Sequence, residues 1–244
     1  MEKIIALIPA RYQSSRFPGK PLALINGKPM IQWVYETVDK VKGINATYVA
    51  TDDERIQKCV NDFQGRCLMT SPKHECGSDR LAECVDILQL DDNDIVLNIQ
   101  GDEPMIQGEM VQELMSTIMD KETIMGTLKE RITEPQDINN PNIVKVVTDI
   151  NDNALYFSRY AVPFNRNNND IQYYRHVGVY AYRAFFLKKY TKWDKSQLEI
   201  SESLEQLRVL ENGFKIKVKE TKYSSIGVDT EEQLELVEHM MECQ

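Results

Sequence analysis

The sequence predicts an α/β protein with a mostly parallel sheet flanked by helices, and three observations carry that expectation. Short apolar runs at 4–8, 46–50, 66–69 and 94–99 have the length and composition of strands. Two longer stretches place apolar residues at helical spacing: Met30, Trp33, Val34, Thr37, Val38 and Val41, then Met110, Val111, Leu114, Met115 and Ile118. The two kinds of segment alternate, which is the βαβ rhythm of a parallel sheet covered on both faces.

At 244 residues the chain suits one domain, 1–244, with a well-buried core. Its texture changes after Ile143, with a strand-like run at 144–148, an asparagine-rich loop at 165–170 and an aromatic run at 173–182. Residues from about 144 to 183 are therefore expected to form a small strand-rich excursion off the main sheet, with dimerisation as its role. The chain then returns through a helix carrying Ile200, Leu204 and Leu207 and a strand near 214–218. A terminal helix starts at Thr230, where Gln233 completes a capping-box pattern.

Hydrophobic residues at 42% and charged residues at 27% suit a soluble globular protein. No segment approaches the roughly 20 continuous apolar residues of a membrane helix, so no membrane insertion is expected. The net charge of −9 disfavours nucleic acid as a partner, because phosphate polyanions select basic surfaces. The first eight residues carry an apolar run too short for a signal peptide. Cys59, Cys67, Cys76, Cys84 and Cys243 are odd in number and form no C-x-x-C pair, which suits reduced thiols in a cytoplasmic protein.

Directly after the first strand run comes Pro9-Ala10-Arg11-Tyr12-Gln13-Ser14-Ser15-Arg16-Phe17-Pro18-Gly19-Lys20-Pro21-Leu22. Cations and small residues on a loop at the carboxyl end of a strand match what a triphosphate needs. The spacing fits neither a P-loop nor a dinucleotide fingerprint. By composition the segment also reads as a solvated basic loop. Asp102 follows the strand run at 94–99 and Asp229 precedes the terminal helix, so both lie near the same sheet edge and could share one Mg²⁺. Taken alone, Asp229 reads equally as a helix cap and Asp102 as a solvated turn acid.

The opening segment resembles the 3-deoxy-manno-octulosonate (Kdo) cytidylyltransferase family. Ordered matches continue through Thr51-Asp52-Asp53, Asn98-Ile99-Gln100-Gly101-Asp102-Glu103-Pro104, Tyr156-Phe157-Ser158-Arg159, Arg175-His176-Val177-Gly178, Ser203-Leu204-Glu205-Gln206-Leu207-Arg208 and Gly227-Val228-Asp229-Thr230. The resemblance spans nearly the whole chain. It implies a Rossmann-like nucleotide-diphospho-sugar transferase fold, Mg²⁺ as cofactor, and CTP and an acid sugar as partners. The implied reaction is CMP transfer to the anomeric hydroxyl of Kdo with release of pyrophosphate, for lipopolysaccharide or capsule synthesis. A homodimer is also expected.

The resemblance further implies roles for individual residues. Arg11 and Lys20 hold the triphosphate, Pro9, Ala10, Ser14 and Arg16 complete that loop, and Asp102 and Asp229 are the metal ligands. His74-Glu75-Cys76-Gly77-Ser78-Asp79-Arg80 is similar to the family's H-x-S-G-T-[D/E]-R, which places Ser78 and Arg80 at the nucleotide. Gln100, Arg159, His176, Tyr182, Glu205 and Gln206 correspond to the sugar site. Outside that motif context Arg159 reads as a structural salt bridge, His176 as a core histidine, and Glu205 and Gln206 as a solvated helix face.

Two departures stand out: Cys76 and Ser78 replace serine and threonine, and Tyr160-Ala161-Val162-Pro163-Phe164 differs from the family's P-I-P-[Y/W]. They leave open an 8-amino Kdo analogue or another acid sugar as substrate. A non-catalytic nucleotide-sugar sensor is the alternative of a different class, against which Arg11, Lys20, Asp102 and Asp229 argue.

Overall fold

The first apolar run becomes β1 (Ile4–Pro9), which packs Ile4, Ala6 and Ile8 on one face and Ile5 and Leu7 on the other. Strand side chains alternate, so an unbroken apolar run requires cover on both sides. A computed structural model describes residues 2–13, 17–167 and 169–242. After a 3-10 turn (Lys20–Leu22) and a hairpin of β2 (Leu24–Ile25) and β3 (Lys28–Pro29), the chain runs through α1 (Met30–Asp39), β4 (Ala46–Thr51), α2 (Glu54–Asp62), β5 (Cys67–Met69), α3 (Gly77–Ile87), β6 (Ile95–Asn98) and α4 (Gly108–Ser116). β7 (Met125–Arg131), the single turn α5 (Pro135–Ile138), β8 (Lys145–Thr148), β9 (Ala154–Ser158) and β10 (Tyr174–Arg183) follow. The chain ends with α6 (Ala184–Tyr190), α7 (Gln197–Glu202), α8 (Leu207–Glu211), β11 (Lys217–Thr221) and α9 (Glu231–Glu242).

The main sheet has the order β11-β7-β10-β6-β1-β4-β5. Neighbours β1, β4, β5 and β6 are parallel, as are β7 and β11, whereas β10 is antiparallel to both β6 and β7. Helices α1, α2 and α4 cover one face through Ile31, Val34, Ile56, Val60, Met110 and Leu114. Helices α3 and α6 cover the other through Leu81, Val85, Phe186 and Leu187. No helix among the described residues is long and apolar enough to cross a membrane.

The aromatic run expected in an excursion instead forms β10, an integral strand of the main sheet. Its register against β7 shifts between Val177 and Tyr180. The half after the shift pairs with β6, and the half before it extends past β6 to meet β8, which pairs in turn with β9. Strand-to-strand hydrogen bonding on both sides therefore absorbs the run that composition alone set apart. A second difference concerns Ile200, Leu204 and Leu207, expected on one helix. Ser203 takes a left-handed conformation (φ 53°) and ends α7, so Glu205 and Gln206 lie in the link before α8 and Ile200 remains 65% exposed. Arg208, bound through two 2.6 Å contacts to the buried Glu199 carboxylate, holds α8 against α7 across that break.

The carboxyl-terminal segment docks far from its neighbours in sequence. Ile25, Met30, Val228 and Val237 form a small cluster, and Asn26 N donates to Glu238 at 2.8 Å. Thr230 supplies the cap of α9 by accepting from Gln233 N at 3.3 Å, and Gln233 in turn accepts from Asp229 N at 2.7 Å. On β7, a Cβ at Gly126 would lie 1.9 Å from Thr117 Oγ1, a hydroxyl tied to Leu114 O at 2.7 Å. Gly126→Ala is therefore expected to lower unfolding stability by about 1–3 kcal/mol through overpacking. A urea midpoint equal to that of the parent protein would contradict this packing.

Candidate active site

The carboxyl ends of β1 and β6 open onto a cleft with two lobes that share Gly77 and Gln100. The first lobe is a cavity of about 330 Å³ whose lining includes Pro9, Ala10, Arg11, Lys20 and Asp102. Pro9, Ala10, Arg11 and Lys20, expected at the triphosphate, all line this lobe, while Ser14 and Arg16 lie outside the described residues. Gln13, which the sequence did not single out, also lines this lobe. Gly19 enters the turn with φ 76° and donates to Tyr12 O at 2.8 Å, a bend that presents Lys20 to the cleft. Arg11 is steadied by its bond to Glu75 O at 2.8 Å.

Lys20 Nζ lies 2.5 Å from Asp102 Oδ2, 2.9 Å from Asp229 Oδ1 and 3.1 Å from Val228 O. Burial works against its charge, but the two carboxylates outweigh that effect and hold its pKa above the ordinary value. Asp229 is not the cap of α9, because Thr230 has that place. Asp102 and Asp229 thus converge on one cation position that an ammonium fills. Among the described residues no group of three or more His, Cys, Asp or Glu gathers at a metal-binding spacing. A pair of carboxylates nevertheless suits Mg²⁺, which takes one or two protein carboxylates together with water and substrate phosphates. Behind the pair, Glu103 accepts a hydrogen bond from Ser225 Oγ, and burial raises its pKa. That link ties the Asp102 turn to the strand-to-helix segment bearing Asp229.

The second lobe, about 190 Å³, is lined by Ser78, Asn98, Gln100, Tyr180, Tyr182, Tyr190, Glu205 and Gln206 among others. Gln100 stands at the junction and donates to Asn98 Oδ1 at 3.2 Å and Gly178 O at 3.3 Å. Burial raises the Glu205 pKa, opposed by hydrogen bonds from Ser78 and from Tyr190, the latter at 3.0 Å. Ser78, expected at the nucleotide, lines this second lobe and hydrogen-bonds Glu205. Tyr180 stacks on Tyr182 and Tyr182 on Tyr190. Tyr180 was legible, since it shares a strand face with Tyr182 at a spacing of two. Tyr190 carried no such signal, because packing of α6 brings it in.

Three expected site residues have other work. Arg80 is 1% exposed and binds Thr70 Oγ1 at 2.5 Å and Asp52 at 2.9 Å, bracing the ends of β4 and β5 and lining neither lobe. Arg159 donates to Glu202 O at 2.7 Å, Pro141 O at 3.0 Å and Ser203 O at 3.4 Å, so its guanidinium secures the end of α7. His176 lies 3.0 Å from Thr127 Oγ1 between Phe157 and Tyr180, and it also lines neither lobe. Cys76 caps α3 by accepting from Asp79 N at 3.4 Å, with its thiol pushed up to about 12 by burial. None of the cysteines Cys59, Cys67, Cys76 and Cys84 is in a disulfide, while Cys243 lies outside the described residues.

Burial lowers the His176 pKa from 6.5 to about 3. The unfolded chain therefore takes up this proton first, and stability falls as pH drops from 6.5 towards 3. His176→Gln is expected to flatten the difference between urea midpoints at pH 7.5 and pH 5. Equal pH dependence in parent and variant would refute a neutral, buried His176.

A cytidylyltransferase family model matches residues 5–219. A 3-deoxy-manno-octulosonate cytidylyltransferase of Thermodesulfovibrio yellowstonii is 49% identical over 246 residues, covering 96% of each chain. An 8-amino-3,8-dideoxy-manno-octulosonate cytidylyltransferase of Shewanella woodyi is 47% identical over 238 residues, covering 96% of this chain and 97% of its own. Among solved structures, a CMP:2-keto-3-deoxy-manno-octonic acid synthetase complexed with CTP superposes with TM-score 0.95 at 43% identity, covering 99% of each chain. The parallel sheet with its inserted antiparallel strand, the two-lobed cleft and these matches agree, and the chain belongs to the cytidylyltransferase family.

Proposed function

We propose that this protein transfers CMP from CTP to the anomeric 2-hydroxyl of 3-deoxy-manno-octulosonate and releases pyrophosphate. The observation that carries this reading is the continuity of the cleft: a cationic lobe bearing Asp102, with Asp229 2.9 Å from Lys20 beside it, opens at Gln100 into a lobe of hydroxyls, amides and Glu205. A triphosphate suits the first and a polyhydroxylated acid sugar the second. The relatives from T. yellowstonii and S. woodyi, named for Kdo and 8-amino Kdo, support the same substrate class.

In this reading the sugar hydroxyl attacks the α-phosphorus in line, the bond to the β-phosphate oxygen breaks, and the hydroxyl proton passes to solvent. Arg11 and Lys20 bind the leaving pyrophosphate and offset its growing charge. Gln100 orients the sugar at the junction, while Glu205, fixed by Tyr190 and Ser78, receives its hydroxyls. Asp102 and Asp229 would hold Mg²⁺, which when bound polarises the α-phosphate and lowers the pKa of the attacking hydroxyl. The Glu205 carboxylate also suits an ammonium, which favours the 8-amino sugar as a second reading.

The product feeds lipopolysaccharide or capsule synthesis from the cytoplasm. On and beside the excursion, Leu155, Tyr160 and Phe164 are 61%, 78% and 82% exposed, and this apolar surface is assigned to a homodimer contact. Sedimentation should show a dimer, and the double variant Tyr160→Ser, Phe164→Ser a monomer. A parent monomer would exclude that contact.

With CTP, Mg²⁺ and either sugar, pyrophosphate release should be strongest with CTP and Kdo. Release with neither sugar would sink the proposal, and preference for the amino sugar would select the second reading. Asp102→Asn and Asp229→Asn should each reduce turnover by about 10²–10³-fold in folded protein.

A further inference from the structure

All three hydrogens of the Lys20 ammonium are spoken for: Asp102, Asp229 and Val228 O surround the nitrogen at 2.5, 2.9 and 3.1 Å. In this arrangement the lysine has no donor left for a phosphate. The two carboxylate oxygens flank the nitrogen itself, so a divalent cation bound by both would occupy the place where the nitrogen sits. Cation and ammonium therefore exclude one another. The lysine also lines the phosphate lobe, which Arg11 shares, and its four-carbon stem allows the head group to swing there.

We propose that Lys20 is the resident counter-ion of the Asp102–Asp229 pair in the free protein, and that CTP and a divalent cation displace it together. Without a triphosphate the displaced ammonium loses two carboxylates and a carbonyl, with nothing but water in exchange. With a triphosphate bound it regains an anionic partner, and the incoming cation gains phosphate oxygens. Metal and nucleotide thus bind with positive coupling, and reciprocity requires each to tighten the other. The free protein is kept from filling its carboxylate pair with metal when no nucleotide is present. This inference rests on the cytidylyltransferase reading for the nucleotide, while its metal arm is independent of the sugar.

The test titrates Mn²⁺ into the folded full-length chain, following free Mn²⁺ by electron paramagnetic resonance, with and without CTP. Lys20→Met keeps the stem and removes the charge. The parent should bind Mn²⁺ alone weakly and CTP should tighten that binding. Lys20→Met should bind Mn²⁺ alone at least about tenfold more tightly than the parent, and CTP should add less. Adding Asp102→Asn to Lys20→Met should abolish the gain, which assigns it to this pair. If Lys20→Met binds Mn²⁺ alone no more tightly than the parent, or if the gain survives Asp102→Asn, the proposal is overturned. Failure of pyrophosphate release with every acid sugar would instead count against the substrate assignment and leave the metal titration standing.

Discussion

The site depends on the Lys20 ammonium and the two carboxylates that meet on it. Asp102 and Asp229 are 82 and 209 residues away from Lys20 in sequence, and each comes from a different strand-to-helix connection. Bringing two carboxylates together is unfavourable unless a cation lies between them, since like charges at short range repel. Lys20 supplies that cation from within the chain. The surrounding packing serves the same end: Gly19 bends the loop, and the cluster of Ile25, Met30, Val228 and Val237 pins the terminal segment beside it. Glu103 and Ser225 close the back of the pair.

The second lobe owes its existence to β10. An antiparallel strand inserted between β6 and β7 presents Tyr180 and Tyr182 beside Asn98, at a place where a purely parallel sheet would continue with another strand-helix unit. The shift between Val177 and Tyr180 separates two tasks along one strand: the leading half carries β8 and β9, and the trailing half walls the cleft. Opposite this wall, the break at Ser203 turns Glu205 inward, where Tyr190 and Ser78 satisfy a carboxylate that burial would otherwise make costly. The same break leaves Arg208 and Glu199 as a buried pair that holds two short helices in place.

The structure also redistributes work among residues that motif matching groups together. Arg80, Arg159 and His176 lie in conspicuous motifs, yet each is committed to protein atoms: Arg80 to Thr70 and Asp52, Arg159 to carbonyls at the end of α7, and His176 to Thr127. They shape the walls that carry the lining residues. Cys76 is similar in kind. A sulfur in place of an oxygen still caps α3, more weakly, and its thiol stays protonated.

Local pattern determined much of this protein. The apolar runs fixed β1, β4, β5 and β6, helical spacing fixed α1 and α4, and Arg11 and Lys20 in the segment after β1 marked one lobe of the cleft, because each of these signals lies within one short segment. Ordered motifs singled out Asp102, Gln100, Glu205 and Gln206, which line the cleft, and Asp229, which meets Lys20 beside it. Tertiary structure alone decided that β10 enters the main sheet, that Ser203 breaks a helix the spacing favoured, and that Tyr190 reaches Glu205. It also decided that Thr230, and not Asp229, caps α9, and that Asp229 meets Lys20. Each of those outcomes turns on partners far away in the chain, and neither spacing nor composition encodes which distant groups will meet.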